Sequence, residues 1–335
     1  MSTHRLFHPT FWILTLTLLP CDVWAQATTP VILRVDVENA VNYWTDVSDV
    51  SKLASDPRAT TGVSRVAFET VSGIFDIVAV NGRPVKGTVA WTARNLNLTP
   101  TQSPGQSIAD VGRNGLAQYY FEFLQPDGTS IGTIMTSSFN GGAPPPGLPV
   151  TSGAGSQAIV GGTGAFLGVR GQSTQGPSTV PVRQASMSED PANRRTNGGG
   201  KTQFILQLIL DRRPQVAVTA NGPAILHAGT NQLVTAATPA NAGETLVLFA
   251  TGLGPVKGGE IGQPFPASPV PPVIAPVEVK VNGIAADVLY AGGYPGAVDG
   301  YQVNFTLPAG IARVTADLQV SAAWILGDAV RLPVQ

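Results

Sequence analysis

Residues 119–138 read YYFEFLQPDGTSIGTIMTSS, and this stretch decides the fold class. At its start, Tyr119, Phe121 and Phe123 alternate with residues that suit a more exposed position. A period of two places alternate side chains on opposite faces of a β-strand. Pro-Asp-Gly at 126–128 is a turn signal, and a second strand-like run follows at 131–136. The stretch therefore predicts a strand, a tight turn and a second strand, which together make an antiparallel hairpin.

The same alternation recurs along the chain. Further runs begin at Leu33, Val277 and Tyr301, and Asn-Gly turn signals stand at residues 81–82 and 282–283. Helical patterns are short and few, and residues 47–54 are the clearest of them. Strands that follow one another at short spacing without intervening helices predict sandwiches or barrels. A doubly wound parallel sheet is therefore not expected.

Composition and charge exclude several classes of protein. The chain has 335 residues, and its 20 Lys plus Arg against 21 Asp plus Glu give a net charge of −1. A near-neutral chain is not a nucleic-acid binder that works through a basic field, because phosphate neutralisation needs clustered Lys and Arg. The hydrophobic content of 43% excludes a wholly disordered chain. The single cysteine excludes a disulfide framework within one chain.

The first 27 residues, MSTHRLFHPTFWILTLTLLPCDVWAQA, are organised as a secretory signal peptide. A short basic region precedes an apolar run at 11–19, and Ala25-Gln26-Ala27 supplies the small residues that signal peptidase requires. The run is shorter than the roughly 20 residues of a spanning helix, which argues against a transmembrane anchor. Pro20 before Cys21 argues against a lipoprotein site. We therefore expect an exported protein, periplasmic, cell-surface or secreted, with no transmembrane segment in the mature chain.

The length of the remaining chain suggests two domains. Asp-Arg-Arg-Pro at 211–214 follows a strand-like run, and new strand signals begin at Val216. We predict a first β domain over residues 28–212 and a second over residues 213–335. Residues 175–201 are polar and end in three glycines. This segment is predicted to be a long loop that is either mobile or functional.

Residues 158–172, AIVGGTGAFLGVRGQ, resemble the glycine-rich strand-turn-strand signature of dirigent proteins and allene oxide cyclases. The stretch at 119–138 is similar to the hairpin that precedes this signature in dirigent proteins. The resemblance extends over residues 31–210 and implies an antiparallel eight-stranded barrel with an apolar cavity, which can hold one small ligand. The glycines are expected to allow tight turns, and the phenylalanine to fill the barrel. The signature residues are Gly161, Gly162, Thr163, Gly164 and Phe166.

The resemblance also implies a few polar groups inside the cavity. Asp36, Glu69 and Glu122 are the candidates for inward-facing carboxylates, and Trp91 and Tyr119 are candidates for a ligand-contacting lining. Acidic residues at alternate strand positions usually face water, and aromatic residues usually pack in the core. Both alternatives stay open for these residues.

Residues 246–333 resemble the Solibacter-type C-terminal domain, found at the ends of many exported bacterial proteins. The resemblance lies in ATGLGPV at 250–256, VNGIAADVLYAGGYPG at 281–296 and YQVNFTLPAG at 301–310. It implies an immunoglobulin-like β-sandwich with no known catalytic role. The expected fold class is thus all-β, with a dirigent-like barrel followed by an immunoglobulin-like sandwich.

Familiar catalytic motifs find little support. The pentapeptide GTSIG at 128–132 fits G-x-S-x-G, but a nucleophile elbow needs a strand, a sharp turn and a helix, whereas here a hairpin turn leads into a strand. Without residues 1–27 the chain retains one histidine, His227, and no cysteine. Zinc and copper sites need several such ligands. We therefore expect neither a metal nor a cofactor.

The leading hypothesis is a non-catalytic exported protein that binds a small ligand or serves a structural, surface-interaction role. Its expected partner is a hydrophobic small molecule or a cell-surface component, and not nucleic acid. The alternative is a dirigent- or cyclase-like enzyme that guides the coupling or cyclisation of a hydrophobic small molecule. Such catalysis needs little more than a shaped cavity with inward-facing polar groups.

Overall fold

The computed structural model describes residues 29–46, 68–97, 113–140, 157–176, 178–186, 189–311 and 314–335. Within these ranges the chain is all-β, with one closed barrel and one curled sheet, which confirms the expected fold class. The same ranges hold no helix with the length and apolar character needed to span a membrane. The predicted signal peptide and the helix candidate at 47–54 lie outside the described residues.

The first half of the chain forms the barrel. Eight strands, β1 to β7 and β9, pair antiparallel in a closed ring, because β1 pairs with both β2 and β9. The ninth strand, β8, adds in parallel to the second half of β1. The bounds are β1 Val31–Asp46, β2 Phe68–Val80, β3 Arg83–Asn97, β4 Arg113–Leu124, β5 Ser130–Asn140, β6 Gln157–Gly164, β7 Arg170–Gln175, β8 Arg183–Ser186 and β9 Gly200–Ile209.

The two ends of the barrel differ. At one end, which we call the base, β2–β3, β4–β5 and β6–β7 are joined by short turns at 81–82, 125–129 and 165–169. The predicted Asn81-Gly82 turn has φ of 51° and 75°, as a type I′ hairpin turn requires. At the opposite end, the mouth, β1, β3 and β5 finish and β2, β4 and β6 begin. The base is therefore tightly closed by backbone, and the long connections belong to the mouth.

Aromatic side chains fill the base half of the barrel. Phe75, Phe121, Phe123, Phe166 and Phe204 are fully buried. The rings of Phe121 and Phe204 meet edge to face with centroids 5.1 Å apart, and those of Phe123 and Phe166 also lie 5.1 Å apart. An eight-stranded barrel is just wide enough for side chains to fill its interior. The base half is thus a packed core.

Residues 178–186 and 189–199, which we call the strap, lie against the outer face of β1 and β2. The sequence predicted a long loop here, and that prediction is wrong for the described part of the segment. It contains β8 and a short 3₁₀ turn at Pro191–Asn193. Ala185 of β8 covers Val41 and Tyr43 of β1 in a small second core. The apolar face that β1 turns outward is the physical reason that the strap packs.

Ion pairs add to this attachment. Asp76 on β2 accepts hydrogen bonds from Arg194 and Arg195 of the strap and from Asn39 of β1. Within the strap, Arg183 binds Glu189 through two hydrogen bonds of 2.8 and 2.7 Å. Paired, hydrogen-bonded charges are the form in which burial of ions is tolerated. The polar composition of the strap therefore serves attachment.

The second half of the chain forms a curled sheet. Its order is β10-β14-β17-β16-β15-β18-β19, with β13 on β14 and β20 on β18, and a separate pair β11–β12. The bounds are β10 Gln215–Val216, β11 Val218–Thr219, β12 Gly222–Pro223, β13 Ile225–His227, β14 Thr245–Thr251, β15 Val277–Val281, β16 Ile284–Gly293, β17 Tyr301–Thr306, β18 Val314–Ala322, β19 Ile325–Leu326 and β20 Val330–Val334.

The curl makes this sheet sandwich-like. The first residues of β16 pair with β15 and the later ones with β17, so this strand passes from one layer to the other. The inner side chains of both layers, including Leu248, Val279 and Phe305, are fully buried. A sheet folded on itself buries one face of every strand. The strands predicted to begin at Val277 and Tyr301 are confirmed, because β15 and β17 begin at these residues.

The second sheet sits on the base of the barrel. The indole ring of Trp324, in the turn between β18 and β19, lies 5.7 Å from the ring of Phe123. Gln125 in the β4–β5 turn donates a hydrogen bond to the carbonyl oxygen of Ile274. Because these contacts all involve the base, the second sheet leaves the mouth uncovered.

Candidate ligand-binding site

The inner face of the barrel changes character from base to mouth. Near the base the inward side chains are Phe, Leu and Val, whereas near the mouth hydroxyl and amide groups take their place. We call this set the polar ring. It comprises Asn42, Thr136, Ser138, Gln157, Ser173 and Thr202, all of them buried except the half-buried Asn42.

Strand alternation places these groups side by side. Thr136 and Ser138 follow the buried Ile134 at intervals of two along β5, so they share its inward face. In the ladders, Ser138 lies opposite Ala117 of β4, and Gln157 lies opposite Ser173 of β7. The polar ring is thus formed by inward side chains of the consecutive strands β5, β6, β7, β9 and β1.

Most members of the polar ring are hydrogen-bonded within the protein. Ser173 Oγ donates to Gln157 Oε1 at 2.7 Å, and Thr202 Oγ1 donates to the carbonyl oxygen of Gly176 at 3.2 Å. Ser138 Oγ makes a longer contact of 3.4 Å to the carbonyl oxygen of Ala117. Thr136 differs from them, because its hydroxyl is buried, with the residue only 2% exposed, and has no partner among the described residues.

Aromatic rings lie beside the polar ring on the inner face, with Tyr119 opposite Thr136 in the ladder of β4 and β5. The rings of Trp91 and Tyr119 stack with centroids 5.0 Å apart and an angle of 6°, and Tyr119 meets Phe204 edge to face at 5.8 Å. Trp91 Nε1 donates to Asn42 Oδ1 at 3.2 Å. Gly73, opposite Trp91 in the ladder, makes room for the indole, since a Cβ there would lie 1.8 Å from Trp91 Nε1. The stacked pair, which we call the floor, thus offers a flat aromatic surface next to the polar groups.

The inner face is electrically neutral in the part of the barrel that the structure describes. Its polar groups are hydroxyls, amides, the indole N–H of Trp91 and the phenol of Tyr119. Such groups can orient a ligand by hydrogen bonds. General acid–base catalysis near neutral pH relies chiefly on His, Asp, Glu or Lys. The arrangement therefore suits recognition of an uncharged molecule better than proton transfer.

The residues predicted as site candidates divide between the two faces. Trp91 and Tyr119 lie on the inner face and form the floor just described. Asp36 and Glu122 lie on the outer face, between inward-facing neighbours. Glu69 pairs in register with Asp46 and Asn95, and its side chain lies outside the described part of the structure. The structure thus brings the two aromatic candidates together and separates them from two of the three carboxylates.

Asp36 lines a cavity of about 360 Å³ on the outer face of the barrel. Glu38, Lys201 and Gln203 lie in the same cavity, and the groups are already paired with one another. Gln203 donates to Asp36 Oδ1 at 2.7 Å, and Lys201 lies 2.7 Å from Glu38 Oε1. Because these polar groups already bind one another, the outer cavity leaves few of them free for a ligand. We therefore place the candidate site inside the barrel, toward its mouth.

The glycine-rich signature builds the base of the barrel. Phe166 is fully buried against Phe123. A Cβ at Gly164 would lie 2.5 Å from the carbonyl oxygen of Ile131, so the backbones approach too closely for a side chain. Thr163 faces outward, where its hydroxyl lies 2.7 Å from that of Thr133. These residues support the barrel from the end opposite to the polar ring.

Sequence reasoning missed the polar ring. The strand prediction ended at Thr136, whereas β5 continues to Asn140 and carries Ser138 inward. Alternation from Ile134 onward was the available signal, since every second residue of that run belongs to the inner face. Gln157 and Ser173 gave no local signal, because their orientation depends on neighbouring strands.

Metal ligands do not cluster in the described ranges, where no three His, Cys, Asp or Glu side chains come together. Searches of protein-family models, of curated proteins and of solved structures found no match to this chain. The site's own geometry is therefore the basis for assigning a function.

Proposed function

We propose that the barrel binds a small, uncharged organic molecule that enters from its mouth and contacts the polar ring and the floor formed by Trp91 and Tyr119. The unpartnered hydroxyl of Thr136 carries this proposal. A buried hydroxyl without a hydrogen bond is unfavourable by about 1–3 kcal/mol. A ligand with a hydroxyl or carbonyl group would supply the missing partner.

Binding fits the described residues better than catalysis does. The inner face offers neutral hydrogen-bonding groups and aromatic surface, as ligand sites commonly do. The alternative of a cyclase-like enzyme needs inward-facing polar groups that stabilise developing charge. Asp36 and Glu122, which were candidates for that role, face outward. Ligand binding therefore remains the leading hypothesis.

Export and family membership belong to the same proposal. The signal peptide expected in residues 1–27 would deliver the barrel outside the cytoplasm. The closed eight-stranded barrel is compatible with the fold implied by the dirigent resemblance, and the curled sheet with the immunoglobulin-like one. Both family assignments remain proposals. On this view the second sheet covers the base of the barrel, at the end opposite to the mouth.

A pair of probes tests the proposed site. Calorimetric titration should give saturable binding of p-cresol, whose ring suits the floor and whose hydroxyl suits Thr136. Toluene, which lacks the hydroxyl, should bind about fivefold to tenfold more weakly. This difference in affinity corresponds to the net free energy of one hydrogen bond. Absence of saturable binding by both compounds would contradict the proposal.

The variant Thr136→Val removes the hydroxyl while keeping the shape of the side chain. It should reduce the affinity for p-cresol to that for toluene and leave toluene binding unchanged. Because it removes an unpartnered polar group, it should also raise the stability of the free protein. Thr133→Val, on the outer face of the same strand, is the matched control and should leave both affinities unchanged. Equal p-cresol binding by Thr136→Val and wild type would place the site elsewhere.

A further inference from the structure

A single row of opposing residues connects the floor with two members of the polar ring. Each member lies opposite the next in the ladders of β1 to β5, and the row consists of Asn42, Gly73, Trp91, Tyr119 and Thr136. Residues directly opposite each other in a ladder project to the same face of the sheet. The two rings of the floor are therefore flanked along the row by Asn42 on one side and by Thr136 on the other.

The indole of Trp91 orients the amide group of Asn42. An indole N–H is a donor only, so the atom that it contacts must be an acceptor. That atom is Asn42 Oδ1, which lies 3.2 Å from Trp91 Nε1. Gly73, which lies between the two residues in the row, has no side chain to keep them apart. The amide nitrogen Nδ2 keeps its two N–H groups, and among the described residues it has no hydrogen-bond partner.

Gln157 shows the same division of its amide group. Its Oε1 accepts the hydrogen bond from Ser173 Oγ at 2.7 Å, and the residue is only 6% exposed. Its Nε2 donates to no acceptor in the described ranges of the chain. Gln157 precedes Ile159 by two residues on β6, and Ile159 lies opposite Thr136. A second amide nitrogen with unpaired N–H groups thus lies one inward position from the Thr136 end of the row.

The hydroxyl groups of the polar ring do not balance these donors. Apart from Thr136, each of them already donates its proton, either to Gln157 Oε1 or to a backbone carbonyl oxygen. Both amide oxygens already accept a hydrogen bond. The unpaired protons of the described polar ring therefore belong to Asn42, Gln157 and Thr136. A buried N–H group without a partner is unfavourable, and an acceptor on a ligand would satisfy it.

Small side chains lie directly on the mouth side of the floor. The next inward residues in that direction are Ala93 on β3 and Ala117 on β4, which lie opposite each other. In the following ladder Ala117 lies opposite Ser138 of β5. An eight-stranded barrel is just wide enough for side chains to fill its interior, so short side chains leave space in it. The wall beside the two rings therefore suits a planar group.

We propose that the ligand of the barrel is a planar aryl carbonyl compound, such as an aryl ketone, aldehyde or lactone, whose carbonyl oxygen accepts a hydrogen bond from Asn42 Nδ2. This inference rests on the proposed function and narrows the ligand from any uncharged molecule to one with an acceptor at the Asn42 end of the row. A hydroxyl group is disfavoured there, because the amide offers it donors while the amide oxygen already accepts from Trp91. Thr136 can donate or accept, so it places no such condition at the other end.

Two probes that differ in a single group test this selection. The compound p-methylacetophenone carries a carbonyl group where the alcohol obtained by reducing it carries a hydroxyl group, on the same carbon skeleton. Calorimetric titration of the full chain should give a dissociation constant about fivefold lower for the ketone, which corresponds to one hydrogen bond. The carbonyl stretching band of the bound ketone should lie at lower wavenumber than in an apolar solvent, because a hydrogen bond weakens the C=O bond.

Asn42→Asp exchanges the donor for an acceptor and keeps the shape of the side chain. One carboxylate oxygen can still accept from Trp91 Nε1, whereas the other would repel a carbonyl oxygen. The variant should therefore weaken binding of the ketone at least about tenfold, leave toluene binding unchanged and abolish the infrared shift. Asn304→Asp makes the same exchange at a half-buried asparagine of β17 in the second sheet, and this matched control should change none of these values.

The possible outcomes separate this inference from the proposed function. Saturable binding of p-cresol and toluene, together with a ketone that binds no more tightly than its alcohol, would overturn the carbonyl class and leave the site in place. Unchanged ketone affinity in Asn42→Asp would overturn the role of Asn42. Absence of saturable binding by all four compounds would contradict both proposals. The comparison of ketone and alcohol uses only the wild-type protein, so it decides the ligand class even where the variant fails to fold.

Discussion

Arg195 Nε lies 2.7 Å from Asp76 Oδ2, although 119 residues of chain separate the two. The Asp76 carboxylate also accepts a bond from Arg194, and a third from Asn39 Nδ2 at 2.9 Å. This contact joins the strap to the outer face of the barrel wall. Through it, a segment of polar residues becomes part of the folded domain.

Replacement of Asp76 by Asn should destabilise the protein by about 3 kcal/mol, because it leaves the buried Arg194 without its counter-charge. Urea unfolding measures the change, and faster tryptic cleavage at Arg194 and Arg195 should accompany it. Glu38→Gln removes an exposed ion pair with Lys201 on the same face. This control should change stability by less than about 1 kcal/mol. Equal effects of the two variants would contradict the role assigned to Asp76.

Acid should weaken the same contact. Burial raises the pKa of Asp76, but hydrogen bonds from Arg195 and Asn39 and the charge of Arg194 outweigh it and hold the pKa below the ordinary 3.8. A carboxyl whose pKa is lowered by folding contributes stability that is present above its unfolded pKa and is lost as pH falls through its folded pKa. The urea concentration at the unfolding midpoint should therefore decrease when the pH is lowered below about 4. Asp76→Asn should show a smaller fall between pH 6 and pH 3.

Gly73→Ala should disturb the floor of the candidate site. The added Cβ would overlap the indole of Trp91, which must then move away from Asn42. We expect destabilisation of about 1–3 kcal/mol and a shift in tryptophan emission. Gly161→Ala, at a glycine with open space around it, is the control and should change stability by less than about 0.5 kcal/mol. A silent Gly73→Ala variant would show that the indole does not need this space.

Trp324→Ala should loosen the second sheet from the base of the barrel. Its half-buried ring packs on Phe123, and loss of this contact should lower the free energy of unfolding by up to about 3 kcal/mol. Scanning calorimetry should resolve two thermal transitions in the variant, whereas the wild type should unfold in a more cooperative single transition. Leu326→Ala removes a partly exposed side chain two residues away and should leave the transition shape unchanged. One unchanged transition in both variants would exclude coupling through Trp324.

Local patterns were enough to predict the strands and their turns. Alternation at 119–124 and the Asn81-Gly82 turn depend on residues close in sequence, so the hairpins could be recognised without tertiary information. The same logic failed at residues 175–201. There the polar composition indicated a loop. The prediction failed because the residues that order this segment, Asp76 and the outward face of β1, lie far away in the chain.

The candidate site shows the same division. Trp91 and Tyr119 could be singled out as aromatic residues on predicted strands. Gln157 and Ser173 could not, because a hydroxyl or amide on a strand faces water or the interior according to the register of its neighbours. Asp36 and Glu122 illustrate the reverse case, in which a chemically attractive side chain belongs to the outer face.

By itself the sequence determined the all-β class, the hairpins and the expectation of two domains, since period-two alternation and turn residues act over a few positions. Only the tertiary structure decided which face of each strand is enclosed, where the strap attaches and which end of the barrel the second sheet covers. The physical reason is closure. When β1 pairs with both β2 and β9, it separates inside from outside, and that separation gives the hydroxyl of Thr136 its buried, unpartnered position.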